Sequence, residues 1–342
     1  MNRIDIKTLD RYVLQQQLEA LGQPKFRVKQ VGDWLDKGVT SFDDMRNLPE
    51  QLRLLLADNY FIPSVKIKRK LVSQKDETVK YLFELSDGET VESVLMHYHH
   101  GWSQCLSTQV GCKMGCSFCA TGMGGFVRNM TAAEMFSQIE TAQKDHGVRV
   151  SSVVLMGMGE PLDNFEQVVS FLQMLNTGGF VNIGMRHVSL STCGLVDRIY
   201  DLLEYKFQLT LSVSLHAPND RLRSQIMPVN HRYSVEQLIK ACRDYAEQTG
   251  RRISFEYAMI QGVNDTDDCA VALAKLLKGM LCHVNLIPAN EVNGKSHQRS
   301  SKERIYAFQA LLKKNGINAT VRRTLGSDIN ASCGQLKQES QQ

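Results

Sequence analysis

"VGCKMGCSFCATG", residues 110 to 122, places Cys112, Cys116 and Cys119 within eight residues and supplies no fourth ligand. A structural zinc site closes its tetrahedron with four Cys or His ligands, and no Cys or His pair at zinc-finger spacing lies nearby. A cubane iron-sulfur cluster is held by thiolates. Three of them leave one iron open to a ligand from outside the protein, so the spacing points to an open [4Fe-4S] cluster.

The chain around this loop alternates strand and helix. Candidate strands at 151 to 156, 186 to 191, 209 to 214, 253 to 260 and 282 to 287 are interleaved with amphipathic segments. Those segments lie near 132 to 145, 164 to 176, 195 to 204, 234 to 248, 266 to 278 and 302 to 315. This order implies an α/β fold with a parallel sheet wrapped by helices, open or closed like a barrel. Ligands of such sheets sit at the carboxyl ends of the strands, where "GMGEP", "TCG", "LHAP" and "PAN" follow directly.

Residues 1 to 97 read as a smaller unit. Helical spacing at 9 to 22, 26 to 38 and 48 to 60 gives way to a β extension. There Thr78, Lys80, Leu82 and Glu84 alternate with Val79, Tyr81 and Phe83, and "SDG" marks a turn. Residues 98 to 342 form the larger unit, with a glutamine-rich tail after residue 335 that reads as disordered.

Of the 342 residues, 43% are hydrophobic, enough for one large core or two unequal ones. A net charge of +4 gives only mild attraction to a polyanion and does not identify a nucleic-acid binder. No apolar run approaches the roughly 20 residues that span a bilayer, and the charged start lacks the apolar core of a signal peptide. A cytoplasmic, monomeric protein is expected. In that compartment its nine cysteines are metal ligands, catalytic thiols or buried residues rather than structural disulfides. Cys193, Cys242, Cys269 and Cys282 lie in or beside helix and strand patterns and read as buried. Cys105 precedes the three-cysteine loop, and Cys333 lies in the polar, glycine-bounded "GSDINASCGQL". A free thiol near a carboxyl-end site is a candidate nucleophile.

The cysteine spacing, with Phe118 just before the last cysteine, resembles the radical S-adenosylmethionine (SAM) enzymes. The resemblance implies that the open iron chelates the methionine part of SAM and that the cluster cleaves SAM to a 5'-deoxyadenosyl radical. Gly159, Glu160, Ser191, Ser214, Leu215, His216 and Asn290 then become candidates to line the SAM pocket. Alone, each reads as a cap or turn residue.

Five stretches in order, "CLSTQVGCKMGCSFCATG..GF.RN", "GMGEPL.N", "SLHAP", "VNLIPAN" and "GSDINASCGQL", extend the likeness over essentially the whole chain. They resemble the RlmN/Cfr family of radical SAM rRNA adenine methyltransferases. That resemblance implies a partial (β/α)6 barrel with a small N-terminal helical accessory domain that binds RNA. It further implies two SAM molecules per turnover, 23S rRNA and tRNA as partners, and an electron donor such as flavodoxin or ferredoxin. Matched by position, Cys112, Cys116 and Cys119 carry the cluster, Cys333 carries the methyl group, Cys105 is its disulfide partner and Glu92 is the acid/base.

The family's chemistry accounts for two thiols and one carboxylate. Carbon 2 of adenine lies between two ring nitrogens and is too electron-poor to attack a methyl sulfonium, so a radical route is needed. "VNLIPAN" and "RRTLGSDINASCGQL" resemble the carbon-2, dual-specificity branch, with Glu291 as a departure where that branch often has proline. The alternatives are a carbon-8 methyltransferase of the resistance branch and, from another class, a non-catalytic metal-containing RNA-binding protein. Without the family, Glu92 reads as a solvated edge residue. "KIKRK" (66 to 70) and "VRR" (321 to 323) are candidate phosphate contacts, and Trp34, Tyr60 and Phe61 candidate stacking rings.

Overall fold

The computed structural model describes residues 3–9, 11–175, 181–290 and 297–336. Glu291, the last residue of the helix expected at 164 to 176, and the tail beyond Leu336 lie outside the described residues. The N-terminal unit comprises β1 (Ile4–Asp5), α1 (Arg11–Ala20), α2 (Phe26–Asp36), α3 (Glu50–Asn59) and β2 (Tyr60–Phe61), with β1 and β2 paired in parallel. Leu14 and Leu18 of α1, Val28 and Val31 of α2, and Leu52 and Leu56 of α3 close on Met45 and Tyr60. At 3% exposure Tyr60 is a core ring, not the stacking platform the sequence suggested.

The β extension follows as β3 (Lys66–Val72), β4 (Val79–Glu84) and β5 (Thr90–Tyr98), and β6 (Gly101–Cys105) pairs antiparallel with β5. The hairpin β7 (Gln109–Gly111) and β8 (Phe126–Asn129) flanks the three-cysteine loop. Alternation then sets in with α4 (Ala132–His146), β9 (Val150–Leu155), α5 (Phe165–Met174), β10 (Val188–Thr192), α6 (Val196–Glu204) and β11 (Thr210–Ser214). It continues through α7 (Asp220–Ile226), α8 (Val235–Thr249), β12 (Ile253–Met259), α9 (Asp267–Leu277), β13 (Cys282–Pro288), α10 (Lys302–Lys314) and β14 (Ala319–Val321).

These strands form one ten-stranded sheet in the order β14-β13-β12-β11-β10-β9-β6-β5-β4-β3. From β6 through β14 neighbours pair in parallel, and β3 to β5 continue the sheet antiparallel. β6 and β14, both short, extend the five parallel strands legible in the sequence. Residues 186 and 187, expected as strand, belong to a 3-10 turn (Met185–His187), and β10 begins at Val188. Helix starts obey local chemistry: Thr131 and Glu134 form a capping box on α4, Ser234 and Gln237 another on α8.

Strands β4 and β5 are buried on both faces because helices cover one side and the C-terminal segment the other. A single hydrophobic cluster runs from Val65 to Leu336, separate from the N-terminal cluster that ends at Ile62. The cores thus divide between Ile62 and Val65, while residue 97 lies inside β5. Among the described residues no helix is long and apolar enough to cross a membrane.

Candidate active site

The three-cysteine loop is shaped by its hairpin. Gly111 has φ +76, and a Cβ there would stand 2.0 Å from the Gly125 carbonyl oxygen. Only glycine lets β7 and β8 close so tightly, and the Cys112 N–H then donates to that carbonyl at 2.8 Å. Farther along, the Ala120 N–H donates to Gly334 O (2.8 Å) and Thr121 Oγ1 to Leu336 O (2.7 Å). The cluster loop and the Cys333 segment, distant in sequence, are therefore fastened together.

A cavity of about 1030 Å³, counting its open mouth, lies at the carboxyl ends of the parallel strands, the size range of a small-molecule site. Cys112, Cys116 and Cys119 line it together with Cys333. Gly159 and Glu160 enter after β9, Ser191 from β10, Ser214 and His216 from the end of β11, and Asn290 after β13. Leu215 does not line it: its side chain is fully buried and its carbonyl accepts from Arg223 Nε at 3.1 Å. Cys193, read from sequence as a core residue, does line the cavity.

Each lining residue has a second task. Glu160 is 3% exposed, and its two oxygens accept from Leu162 N (3.0 Å) and Cys193 N (2.7 Å), so it joins the ends of β9 and β10. Burial raises its pKa against those stabilising N–H groups. His216, in the left-handed region at φ +55, accepts from Ala258 N through Nδ1 (2.9 Å) and meets Phe118 edge-on at 4.7 Å. Burial, then Arg223, pushes its pKa down to about 3, so the imidazole is neutral. Asn290 Nδ2 donates to Cys333 O at 2.9 Å.

Gly159 permits the approach of Gln109. It has φ +99, and a Cβ there would fall 2.6 Å from the Gln109 side chain, whose Oε1 accepts from Glu160 N at 2.9 Å. Gly159→Ala is expected to destabilise the protein by about 1–3 kcal/mol and to weaken SAM binding. Denaturant unfolding and equilibrium dialysis with SAM would check both, and wild-type values in both would contradict the role of the close approach.

A second group of residues adjoins the cavity. Cys105 is buried, and burial followed by the nearby Cys333 pushes its thiol up to about 12. Both cysteines are free thiols in this structure. Arg322 lies among Cys333, Glu256, Tyr98 and Cys105, with Cys333 the largest influence raising its pKa. Its side chain is 21% exposed and stands 3.5 Å from Glu256 Oε2, so the "VRR" run turns this arginine inward instead of offering it to RNA phosphates. Glu92 is 2% exposed, not a solvated edge residue, and forms a 2.6 Å ion pair with Lys80.

Sequence reasoning missed Arg223, Glu256 and Arg322 as site residues, and Lys80 as the partner of Glu92. Arg223 is fully buried in α7 and donates to Cys193 O, Ser214 O and Leu215 O. The signal for Lys80 was present: folding the hairpin about "SDG" sets Leu82 opposite Glu92, and leaves Lys80 diagonal to it on the same face.

Known proteins confirm the architecture. Residues 106–274 match the Radical SAM superfamily, and residues 4–62 match the ribosomal RNA large subunit methyltransferase N-terminal domain. A probable dual-specificity RNA methyltransferase RlmN of Alkaliphilus oremlandii is 52% identical over 339 residues, covering 99% of each chain. The chain belongs to the RlmN family of radical SAM methyltransferases. Another RlmN of that description, from Clostridium botulinum, is 50% identical over 91% of this chain and 92% of its own. A radical SAM methyltransferase from Sphaerobacter thermophilus superposes with a TM-score of 0.92 at 44% identity, covering 97% of this chain and 99% of that one.

Membership in the RlmN family implies a [4Fe-4S] cluster and SAM, and the residues present fit both. The three thiols share one loop and one cavity. Burial raises the Cys116 thiol far above its usual range, with Cys119 and Cys112 adding to the effect, and sets Cys112 at about 11. Bound iron offsets that penalty, because ligating thiols must be deprotonated. Among the described residues no three His, Cys, Asp or Glu side chains are grouped as ligands of a single ion. Thiolates on a cubane bind separate irons and so stand farther apart.

Proposed function

We propose that this RlmN-family enzyme methylates carbon 2 of an adenine in 23S rRNA and of the adenine 3' to the anticodon in tRNA, through a methyl group carried on Cys333. The observation that carries this reading is the placement of Cys105 and Cys333, 228 positions apart by their numbers (333 − 105), in one electrostatic environment beside the three-cysteine cavity. The relatives from Alkaliphilus and Clostridium carry the name of dual-specificity RNA methyltransferases, which supports two RNA substrates.

When bound, the cluster and SAM supply a carbon-centred radical and a methyl group at the cavity. Cys112, Cys116 and Cys119 hold the cluster, while Gly159, Glu160, Ser191, Ser214, His216 and Asn290 shape the SAM site. The Cys333 sulfur accepts the methyl group and presents it beside Arg322. Once the methyl carbon is joined to the adenine ring, Glu92 takes the ring proton. Cys105 then attacks the Cys333 sulfur, forming the disulfide and freeing the RNA. The N-terminal unit, with the exposed lysines Lys66 and Lys68 on the adjoining edge strand β3, contributes to holding RNA.

Reaction of the anaerobic, reduced enzyme with protein-free 23S rRNA and SAM deuterated in its methyl group tests this directly. The expected product is 2-methyladenosine that has lost one methyl deuterium, identified by mass spectrometry against carbon-2 and carbon-8 standards. Retention of all three deuteriums would refute transfer through the S-methyl group, and an 8-methyl product would reassign the carbon.

A further inference from the structure

The pleat of the sheet sets Lys80, Val94 and Cys105 in a row across β4, β5 and β6, since Lys80 and Cys105 both register with Val94. Glu92 lies two residues from Val94 and so on the same face. Lys80 is 7% exposed, and its ammonium stands 2.6 Å from Glu92 Oε1. The same Nζ donates to the Asn330 carbonyl at 3.1 Å, three residues before Cys333. Asn330 takes up φ +50, turning the chain at that point. The β3–β4 turn holds the same segment: Ser73 Oγ and Gln74 N donate to Asp328, and Gly326 N donates to Asp76. Of these links, Lys80 is the one that also pairs with Glu92.

We propose that Lys80 is a positioning residue for methyl transfer, holding Glu92 ionised and fixing that carboxylate to the segment that carries Cys333. The inference rests on the reading of Glu92 as the group that takes the ring proton. A buried carboxylate without a cation gains a proton at neutral pH, and a protonated Glu92 takes no proton from adenine. Lys80 from β4 forms an ion pair with Glu92, and Cys105 from β6 lies in the adjoining row of the same face; Tyr98, Arg322 and Cys333 form a neighbouring group around Cys105.

The test compares Lys80→Met, Lys80→Arg, Glu92→Gln and the double variant Lys80→Met/Glu92→Gln in the full-length, cluster-loaded enzyme. Infrared titration follows the protonated-carboxyl band that disappears in Glu92→Gln. In Lys80→Met its midpoint is expected to rise by about 1–3 pH units, and in Lys80→Arg to stay in place. At neutral pH the Lys80→Met enzyme is expected to accumulate the RNA-protein adduct, and raising the pH by about 2 units to relieve this. Glu92→Gln and the double variant should accumulate it equally at every pH.

An unshifted band in Lys80→Met, beside adduct accumulation in Glu92→Gln, would overturn the inference alone. Normal adduct release by Glu92→Gln would overturn the reading of Glu92 and the inference with it. Should Lys80→Met not fold, Lys80→Gln, which keeps a donor for the Asn330 carbonyl without the charge, carries the same expected shift and the same refutation.

Discussion

Cys105→Ala is expected to leave RNA covalently attached to the protein through Cys333, with release of free methylated RNA falling on the order of 1000-fold. The wild-type thiol is suited to resolve such a tether. It lies close enough to Cys333 for one sulfur to perturb the other, and Arg322 opposes that repulsion. Once Cys333 is methylated its sulfur is a neutral thioether, so no repulsion from Cys333 opposes the Cys105 thiolate when it attacks. Alanine keeps the backbone and the small volume at a position 7% exposed, so folding should survive. Denaturing gels of the reacted variant should show a band containing both RNA and protein, absent from Cys105→Ala/Cys333→Ala. Free, fully methylated RNA from Cys105→Ala would refute the division of labour between the two thiols.

Arg223→Leu is expected to cost about 3–5 kcal/mol of stability and to abolish SAM binding. Three buried carbonyls, those of Cys193, Ser214 and Leu215, would lose a charged donor, each at about 1–3 kcal/mol. Asn230 Oδ1, 3.1 Å from the guanidinium, would lose one too. These carbonyls belong to the ends of β10 and β11, so their relaxation moves Ser191, Ser214 and His216 at the cavity wall. Denaturant unfolding and SAM dialysis would measure the two effects. A variant with wild-type stability would show that the carbonyls find other donors.

The three-cysteine loop, the repeated strand and helix order and the strand ends that line the cavity were legible because local rules produce them. Cys112, Cys116 and Cys119 need only their spacing on one loop. Strands such as "SVVLM" and "LTLSVS" show buried-strand composition over a few residues. β14 was not legible, since three residues carry too little pattern, and neither was Arg223, because a charged residue in a short helix normally faces water. Its burial depends on carbonyls from two strand ends that converge only once the sheet forms.

By itself the sequence determined the α/β class, the three-cysteine loop and the family, through motifs whose chemistry is written in consecutive residues. Tertiary structure alone decided that Glu92 is buried against Lys80, that Arg322 turns toward Cys333, and that Leu215 faces the core. Pairing of β4 with β5, and docking of the 326 to 333 segment on that face, exchange water for fixed partners. An ionised side chain survives such desolvation only beside a counter-charge, and that counter-charge comes from another strand or segment of the chain.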